Sequence, residues 1–442
     1  MGRLTRRLGA GGMAVAWALA LAGPAAAFDG FGEATADSTY GRQIRFDVEL
    51  TGGAPERLEL LLSTPGTDST FVIPVNPGEA DATYVWNTSV EYVTPNTLVT
   101  YRWRATEGED VTVSEPATIR YEDDRPGLDW ETAQLGETTV HWYGDAESQA
   151  MRFGELAALG VEQGEALLGT ELAAPVDVFI YDSREDFFGA LGPGAREWTG
   201  AAAYNEIRTI FMWLGGGPAD YLETAMVHEI THIVFFDATD NPFHDPGTWI
   251  NEGIAVWSET GDAADQTALV RSQANAGGLF AFEAITERFP IGDLAGNLSY
   301  AQGASMIDYV IDTYGDEAIA RLTAAYRDGA SDEEALEAAT GVSVDELYGA
   351  FYAQFGVEAP TPVEPEPIAP SNVDTPDPGE VDPGGVDGGP SVAPGDPAPG
   401  DPGAGGTGME PWLLLVILGL AIAVVVVVAV TVARRAARTP SA

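Results

Sequence analysis

The chain has 442 residues, of which 45% are hydrophobic, so it is long enough to form two or three domains with buried cores. Its formal net charge is −47 and all 21 basic residues are arginines, which argues against nucleic acid and anionic lipid as partners. Cysteine is absent, and this excludes disulfides and zinc sites built from thiolates.

The first 27 residues are typical of a secretory signal peptide. Arginines near the start precede an apolar stretch at 13–22, and three alanines ending at Ala27 form an A-x-A cleavage site. The apolar stretch is too short for a first membrane helix. We therefore expect the protein to be exported and the segment 1–27 to be removed.

Between residues 28 and 122, hydrophobic and polar residues alternate with the period of half-buried strands. The alternation is clearest at Ile44, Phe46 and Val48. Further predicted strands lie at 58–62, 70–75, 83–86, 98–104 and 117–121. Short strands separated by Gly, Pro, Asn and Asp predict a β-sandwich of roughly immunoglobulin or fibronectin type. It carries no catalytic constellation, so it is either a spacer or a domain that binds a substrate or partner.

Residues 123–127 mark a predicted boundary, after which strands and helices mix. Strands are predicted at 138–143, 176–181, 201–205 and 208–213, and helices at 145–168 and 184–191. A small sheet with one long helix therefore precedes the motif described next.

The stretch 221–252 contains His228-Glu229-Ile230-Thr231-His232, an H-E-x-x-H pattern. Helix residues four apart share a face, with Cβ atoms about 6 Å apart. His228 and His232 can therefore hold one zinc ion, with Glu229 beside its open coordination position. Apolar residues at helical spacing, with no Gly or Pro among them, predict the helix. The alternative is a pair of histidines on an ordinary core helix.

Zinc requires a third protein ligand and, in a catalytic site, a water molecule in the fourth position. Glu252 is the predicted ligand, because Asn251-Glu252-Gly253 begins a second predicted helix after a turn-rich segment. Three side chains between His232 and Glu252 are alternative ligands: Asp237, Asp240 and His244.

These two motifs resemble the gluzincin metallopeptidases, whose pattern is H-E-x-x-H followed by N-E-x-x-A. The matching residues are His228, Glu229, His232, Asn251, Glu252 and Ala255. The metzincin pattern, by contrast, has a His where this chain has Ala238. The resemblance implies that the edge strand of the sheet, within 200–213, pairs with extended substrate backbone. An ordinary strand is the alternative.

After Glu252 the chain is predicted to be helical, at 264–274, 280–287, 298–314, 316–326, 332–339 and 343–355. Within it, Tyr300-Ala301-Gln302-Gly303-Ala304 resembles the Y-x-x-G-A stretch of the aminopeptidase branch of gluzincins. In that branch the Tyr hydroxyl hydrogen-bonds the tetrahedral oxyanion, and the resemblance gives this role to Tyr300. The alternative is a core tyrosine, since Tyr309 and Tyr314 occur on the same predicted helix.

Aminopeptidases of this branch also carry a G-x-M-E-N segment that binds the free amino group of the substrate. Residues 200–206 lie at a similar place but lack that pattern, which favours an endopeptidase. Overall, residues 131–357 are similar to the peptidase MA-like proteins of bacteria.

The C-terminal part predicts a membrane anchor. Residues 358–408 include 13 Pro and 11 Gly and cannot bury a core, so they are predicted to form an extended, disordered tether. Residues 412–433 are continuously apolar and, at about 33 Å as a helix, long enough to cross a bilayer. Arginines in the tail 434–442 favour the cytoplasm for that end. We therefore expect a single-pass type I protein of the cell membrane.

The predicted fold class is α+β, with the β-sandwich, a gluzincin-type domain of a small sheet plus helices, the tether and one transmembrane helix. The predicted function is that of an extracytoplasmic zinc metallopeptidase acting on peptides or proteins. Zn²⁺ would be held by His228, His232 and Glu252, with Glu229 as general base and Tyr300 stabilising the oxyanion. The alternatives are an inactive adhesion or sensor protein on this scaffold and a zinc hydrolase of non-peptide amides.

Overall fold

The structure is a computed structural model that describes residues 27–67, 69–192, 200–290 and 292–361. Four predictions lie wholly or mostly outside these ranges: the signal peptide at 1–27, the tether at 358–408, the transmembrane helix at 412–433 and the tail at 434–442. Within the described ranges, no helix combines the length and the apolar character that crossing a bilayer requires.

Residues 30–121 form two antiparallel sheets, which we call the two-sheet region. Its strands are β1 (Gly30–Thr39), β2 (Gln43–Thr51), β3 (Arg57–Ser63), β4 (Phe71–Val75), β5 (Asp81–Trp86), β6 (Thr97–Glu107), β7 (Asp110–Val113) and β8 (Ala117–Tyr121). One sheet has the order β1-β2-β5 and the other the order β4-β3-β6-β7. Strands β8 and β7 pair with successive halves of β6.

The two sheets share one hydrophobic core. Alternate residues of β2 and β6 point into it, and Phe46, Leu60 and Trp103 are fully buried there. This alternation follows the two-residue period that the sequence shows. Two strands of this region were not predicted: β1, and the four-residue strand β7, whose residues are all exposed. The immunoglobulin or fibronectin type of the arrangement stays a prediction.

A separate sheet of five strands follows the two-sheet region, and we call it the second sheet. Its strands are β9 (Glu131–Leu135), β10 (Thr138–Trp142), β11 (Val176–Tyr181), β12 (Ala201–Tyr204) and β13 (Thr209–Trp213). The order is β12-β13-β11-β10-β9, in which β10, β11 and β13 are parallel and the two outer strands run antiparallel to their neighbours. Strand β12 therefore forms one edge of this sheet.

Two long helices and one short helix cover the second sheet: α1 (Glu147–Leu168), α2 (Arg184–Leu191) and α3 (Ala219–Thr239). Helices α1 and α3 share the main hydrophobic core with one face of the sheet, and α2 packs on the other face. Two glycines of α1 let α3 come close, because a Cβ on Gly160 would collide with Ile230 and one on Gly164 would press on Val234. This contact sets the position of the H-E-x-x-H helix.

The rest of the described chain is helical. Its helices are α4 (Thr248–Thr260), α5 (Ala264–Ala276), α6 (Asp293–Tyr314), α7 (Glu317–Arg327), α8 (Asp332–Thr340) and α9 (Val344–Ala353). Both α8 and α9 begin with a capping box, at Ser331 and Ser343 respectively.

The predicted helix at 280–287 is wrong. Only a 3-10 turn forms there, at Phe282–Ile285. The backbone of Phe280 is engaged by a side chain instead: Gln302 Oε1 accepts from its N–H (3.1 Å) and Gln302 Nε2 donates to its carbonyl (2.7 Å). Gln302 lies 22 residues further along the chain, so these bonds depend on tertiary packing. Helix α6, in turn, begins five residues before the predicted start at 298, at Asp293.

Hydrogen bonds join the two-sheet region to the second sheet. Asn96 donates from Nδ2 to Asp177 Oδ2 (2.9 Å) and to Thr209 Oγ1 (2.7 Å). Asn96 has a φ of 71°, a left-handed conformation that asparagine tolerates better than most residues. The hydroxyl of Tyr92 donates to the carbonyl of Ala190 at the end of α2. These bonds tie the two regions together on the side where β12 ends.

Candidate metal centre and catalytic site

Helix α3 brings two imidazole rings together at the surface of the main core. His228 and His232 lie one helical turn apart, with ring centroids separated by 4.7 Å. Their side chains are only 16% and 12% exposed. The i, i+4 spacing thus places both rings on one face of the helix, as the sequence predicts.

Helix α4 supplies the third group of the cluster. Glu252 Oε2 lies 3.3 Å from His228 Nε2 and 3.6 Å from His232 Nε2. Tetrahedral zinc with bonds of about 2.0–2.1 Å would hold its ligand atoms about 3.3 Å apart, so these separations suit the ion. This is the group of His and acidic side chains in the described chain that could share a metal ion.

One carboxylate oxygen of Glu252 is not hydrogen-bonded by the surrounding residues that the structure describes. This atom, Oε2, is buried and has no hydrogen-bond partner within the described ranges. A buried, unsatisfied carboxylate oxygen is costly, and buried polar atoms of this kind call for an explanation such as an ion. Because this atom faces two imidazole nitrogens, a cation bound by all three would satisfy it. The residues present therefore fit zinc.

The Nδ1 atoms of both rings are hydrogen-bonded by side chains of α4. His228 Nδ1 lies 2.9 Å from Glu259 Oε1, and His232 Nδ1 lies 2.9 Å from Asn251 Oδ1. In a neutral imidazole an oxygen acceptor at Nδ1 places the ring proton there, which leaves the lone pair of Nε2 on the side of Glu252. Glu259 was not singled out from the sequence, although it follows Glu252 by two helical turns and so lies on the same face of α4.

The cluster is strongly acidic in character. Burial by itself lowers the pKa of His228, but Glu252 and Glu259, with Glu229, outweigh it and raise the pKa to about 10. Burial raises the pKa of Glu252, and the two histidines outweigh that effect and lower it. The negative charge that holds a proton on His228 would equally attract a divalent cation, which competes with the proton for Nε2.

Glu229 lies between the histidines and the edge strand of the second sheet. Its Oε2 accepts a hydrogen bond from the backbone N–H of Ala203 in β12 (2.8 Å). Since β12 pairs with β13 on its other side, this N–H belongs to the edge of the sheet at which no further strand pairs among the described residues. The carboxylate is therefore held where an extended chain bound to β12 would pass.

Helix α6 places Tyr300 beside the histidines. Its ring centroid is 6.5 Å from that of His228 and 4.8 Å from that of Phe289, and the residue is 38% exposed. This exposure does not fit the alternative of a core tyrosine. Tyr309, on the same helix, instead packs against Phe351, with ring centroids 6.0 Å apart.

Two glycines allow α4 and α6 to approach closely. A Cβ on Gly253 would lie 2.7 Å from the carbonyl carbon of Gly303, and a Cβ on Gly303 would lie 2.6 Å from the carbonyl oxygen of Trp249. Each glycine belongs to one of the two motifs recognised in the sequence. Their contact brings the helix that carries Tyr300 against the helix that carries Glu252.

The alternative ligands from the intervening segment do not join the cluster. Asp237 accepts hydrogen bonds from Arg208 Nη2 (2.5 Å) and from the N–H of Ala173 (2.9 Å). His244 lies in the loop after α3, where its N–H donates to Asn241 Oδ1 (3.0 Å). Neither residue belongs to the group that could share an ion, and nor does Asp240.

Tyr221, near the start of α3, is a neighbour of the site that the sequence did not reveal. It is 54% exposed. Burial of part of the side chain raises the pKa of its hydroxyl, and the charges of Glu229 and Glu259 raise it further. Its position seven residues before His228 puts it on the same helix face, which is the signal that could have identified it.

Residues 157–355 match the family model of the Peptidase MA superfamily. Every residue of the cluster, from His228 to Tyr300, lies inside the matched segment. Over this segment the chain is similar to the Peptidase MA superfamily. The resemblance predicted from the two motifs is thereby confirmed, and we refer to the segment as the Peptidase MA domain.

Similar solved structures include two peptidases. An M1 zinc metallopeptidase from Deinococcus radiodurans is 15% identical, with a TM-score of 0.30, over 74% of this chain and 93% of its own. An aminopeptidase N family protein from Idiomarina loihiensis is 10% identical, with a TM-score of 0.35, over 70% of this chain and 72% of its own. No curated protein matches the chain significantly.

Proposed function

We propose that the Peptidase MA domain is a zinc-dependent metallopeptidase. The observation that carries this proposal is the position of Glu252 Oε2, which is buried and unsatisfied between the Nε2 atoms of two histidines. The Nδ1 atoms of both histidines are already occupied by hydrogen bonds, so the three ligand atoms converge on one point. When bound there, zinc would polarise the substrate carbonyl and lower the pKa of a water molecule toward about 7.

The residues of the chain have separate tasks in peptide hydrolysis. Glu229 takes the proton of the attacking water and passes it to the leaving nitrogen. The N–H of Ala203 holds its carboxylate in place for this transfer. The hydroxyl of Tyr300 donates a hydrogen bond to the carbonyl oxygen as negative charge develops on it.

We propose further that the substrate is an extended polypeptide that is cut internally. Support for this comes from the open edge of β12, which offers backbone groups for pairing immediately beside Glu229. The absence of the G-x-M-E-N pattern from residues 200–206 favours an endopeptidase over an aminopeptidase.

The proposed location is the outer face of the cell membrane. Support comes from the sequence: a signal peptide at 1–27, a Pro- and Gly-rich tether at 358–408 and an apolar stretch at 412–433 followed by arginines. Protease added to intact cells should then release the Peptidase MA domain by cutting the tether. Protection of the domain until the membrane is opened would contradict this orientation.

The central experiment measures zinc content and turnover of an unbiased peptide library for the purified full chain and for Glu229→Gln. We expect both proteins to hold zinc, and turnover of the variant to fall by a factor of about 10²–10⁴, the usual contribution of a general base. Wild-type protein that holds zinc but cuts no peptide would favour the adhesion or sensor alternative. Hydrolysis of other amides in place of peptides would favour the alternative of a zinc hydrolase of non-peptide amides.

A further inference from the structure

A cleft of about 320 Å³ lies between the two-sheet region and the second sheet, at the end of β12. Its apolar lining comes from both sides: Phe71, Trp86 and Tyr92 from the two-sheet region, Tyr204 and Ile207 from the Peptidase MA domain. Phe71 is 51% exposed and Tyr92 is 37% exposed. Large aromatic side chains exposed together in a concave surface are typical of a binding site.

The walls of this cleft are held in place. Tyr92 and Tyr204 each donate a hydrogen bond from the hydroxyl to a backbone carbonyl at the end of α2. The turn between β3 and β4 approaches Glu206 so closely that a Cβ on Gly66 would lie 2.5 Å from its Cγ. Gly66 also has a φ of +75°, which favours glycine. These contacts between the two-sheet region and the Peptidase MA domain therefore fix the positions of the aromatic rings in the cleft.

The edge strand β12 connects this cleft to the catalytic site. The N–H of Ala203 contacts Glu229, and the next residue, Tyr204, already lines the cleft. An extended chain advances about 3.3 Å per residue. Two residues that line the cleft, Tyr204 and Glu206, follow Ala203 by one and three residues. They therefore lie at most about 10 Å from Ala203 along the chain. A polypeptide paired to β12 would therefore run from the site of hydrolysis into the cleft.

We propose that this cleft is a substrate subsite that takes an aromatic side chain of the polypeptide, two to four residues from the scissile bond. The proposal rests on the proposed peptidase function and gives the two-sheet region a role in it. Antiparallel pairing is the commoner and slightly more stable arrangement, and it places the cleft on the N-terminal side of the scissile bond. Filling the cleft then requires a substrate that continues on that side, as an endopeptidase substrate does.

The electrostatics of the junction disfavour an acidic occupant. Glu206 lies at the cleft, Glu229 lies at the other end of the path, and the chain as a whole has a net charge of −47. An aromatic side chain, by contrast, would bury apolar surface against Phe71 and Trp86.

The test compares two internally quenched peptides that differ only in carrying Phe or Ser three residues before the cut. They are assayed with the full chain, with Phe71→Ala and with Phe243→Ala. Phe243 is a matched control because it is 73% exposed and is not part of the cleft lining. We expect Phe71→Ala to lower kcat/KM about tenfold for the Phe peptide, through KM. The Ser peptide, and both peptides with Phe243→Ala, should stay within about twofold of wild type.

A binding experiment tests the cleft independently of hydrolysis. The affinity of the Phe peptide is measured for the full chain carrying Glu229→Gln, with and without Phe71→Ala. An affinity about tenfold weaker with Phe71→Ala supports the subsite even if no peptide is cut, in which case only the peptidase function fails. An equal loss for both peptides, or no loss in either experiment, overturns the subsite.

Discussion

The Nδ1 atoms of His228 and His232 lie against Glu259 and Asn251, and this orientation suits the two histidines to the proposed metal site. Without acceptors at Nδ1, either ring could turn its Nε2 away from Glu252. The orienting carboxylate and amide are both on α4, the helix that carries the third proposed ligand, Glu252. In the proposed site a single helix therefore provides one ligand and positions the other two.

The ligand assignment predicts opposite results for two substitutions. Glu252→Ala should lower zinc occupancy sharply, because it removes one of three converging ligand atoms. His244→Ala should leave occupancy near wild type, since His244 lies in the loop after α3 and outside the cluster. Metal analysis of the purified full chain distinguishes the two cases. The reverse result would mean that a site of three histidines replaces the one described.

The exposed position of Tyr300 beside His228 leads to a kinetic prediction. If the hydroxyl meets the oxyanion only as charge develops, Tyr300→Phe should lower kcat by a factor of about 10²–10³. KM, zinc content and melting temperature should change little. Tyr309→Phe is the control and should leave kcat nearly unchanged. Normal turnover with a lowered melting temperature in Tyr300→Phe would contradict the catalytic role.

At the scale of elements, the contact between α4 and α6 joins the two sequence motifs. Gly253 follows the proposed ligand Glu252 directly, and Gly303 follows Tyr300 by three residues. Because neither glycine has a side chain, the backbones of the two helices touch at this point. The glycines of the N-E-G and Y-x-x-G stretches thus have a packing function that serves the site.

Gly303→Ala should separate the two helices. The added Cβ would lie 2.6 Å from the carbonyl oxygen of Trp249, and backbone cannot move aside cheaply. Overpacking of this kind costs about 1–3 kcal/mol of unfolding free energy, and it should also lower turnover by displacing Tyr300. The control is Gly349→Ala on α9, where a Cβ would meet nothing within 4 Å. That variant should be neutral or up to about 1 kcal/mol more stable. Equal melting temperatures for both variants would refute the tight contact.

At the scale of the whole described molecule, Asp177 links the two-sheet region to the Peptidase MA domain. It accepts a hydrogen bond from Asn96 of the former (2.9 Å) and lies 2.8 Å from Nε2 of His141 in β10 of the second sheet. Burial raises the pKa of Asp177, but His141 and Asn96 outweigh burial and lower it. The junction that forms the aromatic cleft is therefore held in part by an ionised carboxylate.

Because Asp177 is ionised in the folded protein, we predict that its contribution to stability is lost in acid. A lowered pKa in the folded state means that ionised Asp177 stabilises the fold at pH values above its unfolded pKa of about 3.9. The contribution is lost as the pH falls through the lower, folded pKa. The difference in unfolding free energy between wild type and Asp177→Asn should thus shrink on acidification below about pH 4. Asp110→Asn, on the exposed strand β7, is the control and should show a smaller difference. A difference that grows on acidification would contradict the assignment.

Local patterns in the chain were sufficient for much of this molecule. The alternation at Ile44, Phe46 and Val48 predicts strand β2, because side chains of a strand point to opposite faces in turn. The i, i+4 spacing of His228 and His232 predicts a shared helix face for the same kind of reason. These features depend only on backbone geometry over a few residues, and the structure shows them where the sequence places them.

Contacts between distant residues could not be read in this way, because they depend on how separate elements pack. Gln302 hydrogen-bonds the backbone of Phe280, the residue at which local propensity favours the start of a helix, and only a 3-10 turn follows there. The sequence contains 68 acidic residues, and its motifs do not distinguish Glu259 from the others. Only the packing of α4 against α3 shows that Glu259 contacts His228. The cleft at the end of β12 needs side chains more than 100 positions apart, Phe71 and Tyr204, on opposite sides of a domain junction. Periodicity within each element carries no information about such a junction, so only the packed structure decided it.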